Sequence, residues 1–380
     1  MSSRLPATWD IFCRVVDNFG DIGVCWRLAR QLAAEHGLRV RLWVDDLKAL
    51  RVMRGQDATL GWEPRNCAVF GWSEAERVGV VGEVVIEAFG GGLPGTVVDK
   101  LAHQNKASLW INLEYLSAED WVSGCHGLPS PHPQFNLKRY FFFPGFVPET
   151  GGLLREGNLR AERAAFEQGG GEQALWVELG GRDAWRDALN ISLFSYEVGG
   201  LSTWLETLAG GPAPVRLLVP EGRVLPQVSE WAGTGVLQPG SEIRRGQLTG
   251  RVLPFLTQPD YDKLLWACDV NIVRGEDSFV RAQWAEKPFL WHIYPQHDDA
   301  HWKKLGAFFD RYLAGAPPGL AAAVWSLHEA WNGHQPLDRA WQAAWAQIDA
   351  WRHHATGWAR ELARQDDLAT SLVNFAKKAL

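Results

Sequence analysis

Residues 9–37, WDIFCRVVDNFGDIGVCWRLARQLAAEHG, pass from one structural periodicity to another. WDIFCRVVD (9–17) is a short apolar run of the kind a buried strand needs. IGVCWRLARQLAAEHG (22–37) has helical spacing and closes on Gly37. Between them, Asp17-Asn18-Phe19-Gly20-Asp21 sets two aspartates four apart around an aromatic-glycine pair. Three readings compete for this turn: a phosphate-cradling glycine loop, an ordinary strand-to-helix connection, or a catalytic site. A second strand, RVRLWVDD (39–46), follows directly, so the opening segment predicts a βαβ unit and a parallel sheet.

The same alternation continues outward. NCAVFGW (66–72), EVVIEAFG (83–90), SLWINLEYL (108–116) and YFFFPGF (140–146) read as strands, with a helical TVVDKLAHQ (96–104) among them. Residues 151–188 are charged and glycine-rich and read as a connecting region with one helix. A second series follows: LNISLFSYE (189–197), a helix near 200–208, VRLLVP (215–220), RVLPFLT (251–257), a helix around YDKLLWAC, DVNIVRG (269–275), a helix from 277, and PFLWHIY (288–294). From about 298 the chain reads as helical. The expected class is α/β: two doubly wound, Rossmann-like domains facing a central cleft. Residues 1–150 form the first, 151–188 the linker and 189–355 the second. Residues 356–380 form a C-terminal helix able to pack back on the N-terminal domain. Ligands then belong at the carboxyl ends of the strands. GT-B glycosyltransferases share this layout with some epimerases and phosphorylases, so the fold does not settle the function.

Composition narrows the classes. A net charge of −6 argues against a broad nucleic-acid-binding face. The five cysteines are scattered without a CxxC pair, which points away from a disulfide framework or a zinc knuckle. MSSRLPATWDIF lacks the apolar run of a signal peptide, and no segment approaches the roughly 20 apolar residues that cross a bilayer. A cytoplasmic protein with reduced thiols and no membrane partner is the expectation.

The chemistry-bearing stretches lie at strand ends. In RGEDSFVRAQWAEKPFLW (274–291), a strand delivers Arg274, Gly275, Glu276, Asp277 and Ser278 to a helix start. Ser or Asp there would cap the helix, whose amides and dipole favour an anion, and Arg274 suits a diphosphate. A capped helix with a surface arginine is the plainer alternative. Phe194 and Phe255 either sandwich a nucleobase, with Gln258 reading its edge, or are core residues; sequence leaves these even. Tyr294 ends another strand within reach of the same diphosphate. HDDAH (297–301) matches no standard zinc spacing and reads better as a helix start. EAFGGGLP (87–94) lacks the GxGxxG register, and no GxxxxGK[ST] occurs. Glu114 and Tyr115, in NLEY, cap or pack at a strand end or help to hold an acceptor.

Taken together, WDIFCRVVDNFGDIGVCWRLARQL, VIEAFGGGLP, WINLEYLSAEDW, FFFPGF, SLFSYE, LPFLTQPDYDKLLWACDVNIVRGEDSFVRAQWA and HIYPQHDDAHWKKL closely resemble one family, the EarP protein-arginine rhamnosyltransferases that modify translation elongation factor P. They run in order from residue 9 to about 305. The resemblance implies a GT-B fold, a dTDP-β-L-rhamnose donor on the C-terminal half, and inversion to an α-linked rhamnosyl-arginine. It implies an acceptor, elongation factor P, docked mainly on the N-terminal half and activated for rescue of ribosomes stalled at polyproline. It places the catalytic aspartate on Asp21, with Asp17 also required, and an essential glutamate on Glu276. Phe194 and Phe255 become base-stacking, Gln258 base-reading, and Tyr196, Arg274, Asp277, Ser278 and Tyr294 diphosphate-binding. No metal and no further cofactor are expected. The alternatives are a GT-B transferase with another nucleotide sugar or acceptor, and a non-catalytic nucleotide-sugar-binding module.

An arginine nucleophile constrains the chemistry. With a pKa above about 12, its neutral fraction at pH 7 is on the order of one in 10⁵ or less, so prior deprotonation would cost at least roughly 7 kcal/mol. A concerted scheme avoids this. Asp21 takes the proton as the C–N bond forms, while Asp17 or Glu114 fixes the guanidinium plane.

Overall fold

The structure, a computed structural model, describes residues 7–16, 19–54, 61–62, 66–77, 79–333 and 336–380. Asp17 lies outside these described residues. The chain divides into two compact units, Met1–Gly157 with Leu362–Leu380, and Asn158–Glu361.

The first unit is built on strands β1 (Thr8–Cys13), β2 (Arg39–Val44), β3 (Gly61–Trp62), β4 (Cys67–Gly71), β5 (Val84–Ala88), β6 (Leu109–Leu113), β7 (Pro129–Pro131) and β8 (Lys138–Phe142). Their order is β3-β4-β2-β1-β5-β6-β8-β7. The interior pairs are parallel; β3 and β7 pair antiparallel at the two edges. β5 and β6 are buried along their whole length, as strands covered on both faces must be. The helix Gly20–His36 follows β1 and ends at Gly37, whose φ of 64° is the left-handed C-cap that glycine adopts without strain.

The sheet also buries a carboxylate. Asp10 accepts from Arg41 Nε and Nη2 at 2.6 and 2.7 Å, from Trp43 Nε1 at 2.9 Å and from the Gly82 amide at 2.6 Å. With four donors, its role is to tie strands together. The last helix, Leu368–Ala379, belongs to this unit. The Leu368 amide donates to the Leu153 carbonyl at 3.0 Å, and Gln31 Nε2 donates to Asp367 at 3.0 Å.

The second unit holds β9 (Leu189–Leu193), β10 (Val215–Pro220), β11 (Glu242–Arg245), β12 (Leu248–Leu253), β13 (Val270–Arg274) and β14 (Phe289–His292), ordered β11-β12-β10-β9-β13-β14. All pairs are parallel except β11 with β12. Where one helix is expected in 151–188, the structure has two, Leu159–Gln168 and Gly171–Glu178, and a 3₁₀ turn at Trp185–Asp187. Burial explains the difference. Leu175, Trp176 and Trp185 pack with Leu218, Leu253 and Leu264 in the core of the second unit. Arg216 is held there by Asp183 at 2.6 Å and Asn190 at 2.6 Å, with its guanidinium 4.3 Å from the Trp176 ring centre.

No helix among the described residues is long and apolar enough to cross a membrane. All five cysteines are free thiols.

Candidate active site

Both sheets reverse their winding at one place. In the first, the chain winds outward from β1 to β2 on one side and from β5 to β6 on the other, so the switch lies between β1 and β5. In the second it lies between β9 and β13. Doubly wound sheets open a crevice at the carboxyl ends of such strands. The described residues among the expected site residues fall on these two edges.

On the second unit, Phe194 and Tyr196 follow β9, and Arg274 ends β13. The Arg274 guanidinium carbon lies 4.5 Å from the Phe194 ring centre and 4.7 Å from that of Tyr196. This is the stacked geometry a weakly hydrated guanidinium tolerates. Arg274 is buried, and its Nε has no hydrogen-bond partner among the described residues. Tyr294, after β14 and exposed, packs its ring 5.5 Å from that of Tyr196.

Arg274 leads into the helix Asp277–Trp284, whose N-cap is Glu276. The N-cap side chain, Glu276, makes no capping hydrogen bond. The Ser278 hydroxyl instead turns back, accepting from the Arg274 amide at 3.2 Å and donating to its carbonyl. Ser278 therefore pins the arginine-bearing turn, and the helix start keeps the positive end of its dipole beside Arg274.

Gln258 opens the helix Gln258–Ala267, capped by Thr257, and its Nε2 donates to Asp277 at 3.1 Å. Phe255 is half-buried in the turn just before it. Phe194 is half-buried too, with Tyr261 edge-on at 5.7 Å and Cε2 3.2 Å from where a Cβ on Gly222 would stand. Gly222 opens a groove of about 1030 Å³ that runs along Leu225 and Ser229 to Leu237.

On the first unit, Asp21 sits in the first turn of the helix Gly20–His36 and is buried. Its Oδ2 accepts from the Val16 amide at 2.8 Å, a bond between the residues just after β1 and the helix start. Asp45 accepts the preceding Val15 amide at 2.8 Å. Beside this loop runs the glycine stretch after β5. A Cβ on Gly91 would stand 2.9 Å from Arg14 Cβ, closer than real Cβ contacts come, so glycine is what lets the two loops touch. The stretch is no phosphate cradle, because the buried Glu87 carboxylate takes the Gly92 amide at 3.1 Å and Trp110 Nε1 at 3.1 Å. Glu114, after β6, accepts from Asn112 Nδ2 at 2.7 Å, and Tyr115 stacks on Phe89 at 4.5 Å. The structure thus brings Asp21, Glu114 and Tyr115 to one edge of their sheet.

The HDDAH segment forms a 3₁₀ turn, His297–Asp299, ahead of the helix Ala300–Tyr312. Asp298 and Asp299 take positive φ values of 58° and 55°. No group of three or more His, Cys, Asp or Glu among the described residues is placed to hold a metal ion.

Two neighbours of the arginine escape the sequence reading. Arg223, exposed after β10, has its guanidinium carbon 5.8 Å from the Tyr196 ring centre. His292 ends β14 in register with Arg274. The VRLLVP and PFLWHIY runs mark the strands that deliver them, but only strand order sets them beside Arg274.

The two doubly wound units, with their switch points and strand orders, define the fold class, GT-B. A glycosyltransferase from Rickettsia africae shares that fold, with a TM-score of 0.52 over 99% of each chain at 9% identity. The family profile described as Elongation-Factor P (EF-P) rhamnosyltransferase EarP matches residues 9–377, and the chain belongs to this family of protein-arginine rhamnosyltransferases. Relatives bearing that name share 51% identity in Pseudomonas putida, covering 99% of this chain and 100% of the relative. In Pseudomonas aeruginosa the identity is 47%, covering 97% and 98%. A solved structure described as the structural basis for EarP-mediated arginine glycosylation of translation elongation factor EF-P is 40% identical, with a TM-score of 0.73 over 98% of this chain and 100% of the other.

Proposed function

We propose that the protein transfers L-rhamnose from dTDP-β-L-rhamnose to one arginine of elongation factor P, with inversion at the sugar C1 and without a metal ion. The acceptor then serves ribosomes stalled at polyproline in the cytoplasm. The observation that carries this reading is the Arg274 guanidinium stacked on Phe194 and Tyr196 at a switch point, beside a helix start whose N-cap side chain, Glu276, makes no capping bond. That arrangement suits a diphosphate flanked by an aromatic-walled base site. Family membership supplies the sugar and the arginine acceptor.

Each residue has a task in this scheme. Phe194 and Phe255 stack the thymine, and Gln258, whose amide already meets Asp277, presents its oxygen to the base. Arg274 and the amides at Asp277 and Ser278 take up the charge on the departing dTDP. Tyr196 and Tyr294 flank the phosphates, and Glu276 holds the donor sugar or ribose. On the first unit Asp21 accepts the guanidinium proton as the C–N bond forms and the C–O bond to the diphosphate breaks. Asp17 or Glu114 aligns the guanidinium plane, and Tyr115 flanks it.

The test is to incubate the protein with dTDP-rhamnose and elongation factor P and weigh the acceptor. One deoxyhexose on one arginine, α-linked by NMR, is the expected product. Transfer from another nucleotide sugar, or to a small acceptor only, would replace this reading. Donor binding without any turnover would make the protein a sensor.

A further inference from the structure

Behind Arg274 lies a line of buried polar groups that the proposed reaction does not use. Ser195, His292 and Trp331 have relative exposures of 0%, 5% and 1%. Trp331 Nε1 lies 3.2 Å from Ser195 Oγ, and Ser195 Oγ lies 2.8 Å from His292 Nδ1. An indole nitrogen can only donate, so Trp331 occupies a lone pair of the serine oxygen. The serine hydrogen, buried with its residue, needs an acceptor of its own, and His292 Nδ1 is the one within reach among the described residues. Nδ1 therefore accepts, and the imidazole hydrogen sits on Nε2.

The surroundings reinforce this assignment. Burial first, then the charge of Arg274 and then His301 push the His292 pKa down to about 3. A second proton on the ring would repel Arg274 and leave the Ser195 hydrogen without its acceptor. The ring is also a wall of the anion site. It meets the Tyr196 ring at 5.2 Å and 84°, and Tyr196 in turn carries the Arg274 guanidinium at 4.7 Å.

We infer that His292 is a further positioning residue of this site, locked as its Nε2–H tautomer by the chain Trp331 to Ser195 to His292 so that Tyr196 and Arg274 are held for a diphosphate. The inference rests on the donor reading given above. The tautomer is measurable in ligand-free protein, so the two ideas fail separately.

The experiment uses the ¹⁵N-labelled chain and its Ser195→Ala, His292→Asn and His292→Leu variants. Imidazole ¹⁵N–¹H correlations on the wild type should show one neutral Nε2–H tautomer at His292 from about pH 6 to 8. Ser195→Ala should mix the tautomers. The same variant should weaken dTDP about tenfold, the worth of roughly one hydrogen bond, and leave thymidine within about twofold. His292→Asn, which keeps an acceptor for Ser195, should retain more dTDP affinity than His292→Leu. An imidazolium or an Nδ1–H tautomer at neutral pH would overturn the inference. So would equal losses of dTDP and thymidine, since those would report a general loss of structure. A wild type that does not bind dTDP at all would sink the donor reading and leave the tautomer result standing.

Discussion

The carboxyl edges of the two sheets are alike in topology and opposite in chemistry. At the first, Asp21 and Glu114 bring carboxylates to the loops after β1 and β6, and the glycine stretch after β5 packs against the β1 loop. At the second, Arg274 lies on Phe194 and Tyr196 and runs into the start of the helix Asp277–Trp284. Carboxylates suit a guanidinium, whereas a stacked guanidinium beside helix amides suits a diphosphate. One winding pattern thus presents carboxylates at one edge and a stacked guanidinium at the other, and the residues at the strand ends decide which; the proposed scheme assigns them to acceptor and donor.

The largest test of that division is Asp21→Asn. Loss of the general base should slow transfer at least ~10³-fold. Substantial remaining turnover would remove Asp21 from that role. Next is Arg274→Ala, which should weaken dTDP about 10²-fold by removing charge-assisted bonds to phosphate. Arg274→Lys, with charge but no planar fork, should fall between. Thymidine affinity should hold in both variants, and a matching fall would place Arg274 in base binding instead. Phe255→Ala comes third, with a loss of about 1–3 kcal/mol in dTDP binding from base stacking. An unchanged dissociation constant would return Phe255 to the core.

A separate expectation concerns stability rather than either edge. Burial holds His292 and His328 near a pKa of about 3, against 6.5 for an ordinary histidine. Between those values the unfolded chain binds protons that the folded unit refuses. Stability should therefore be flat above pH 6.5 and fall below it, by up to about 1.4 kcal/mol per pH unit for each histidine. Thermal unfolding at neutral pH and near pH 5 reads this directly. A midpoint that does not move would mean these rings accept protons in the folded state.

Much of both edges was legible in the sequence because parallel strands announce themselves. VRLLVP predicts β10 over its observed span, Val215–Pro220, and Gly37 closes its helix as expected. What escaped was short or polar. β3, β7 and β11 are antiparallel edge strands of two to four residues, with prolines in β7 and charges in β11, and such segments carry no alternating signal. The segment 151–188 reads as a linker because its charges dominate, although Trp176 and Trp185 anchor it in the second core. Among the candidate residues, the sequence places Arg274 at a strand end, where β13 ends, and Asp21 at a helix start, where the structure has it. His292 and Ser195 were not visible, because their link spans 97 positions and depends on strand order. Ser278, one of the two residues expected to cap the helix, instead bonds Arg274 through its hydroxyl.

The separation of the two edges is tested most directly by a double-mutant cycle on dTDP affinity with Asp21→Asn, Arg274→Ala and the pair. Asp21→Asn should leave the dissociation constant within about twofold in either background, so the coupling stays under roughly 0.5 kcal/mol. A coupling above about 1 kcal/mol would contradict the account, because Asp21 would then act on the donor phosphates and not on the acceptor arginine.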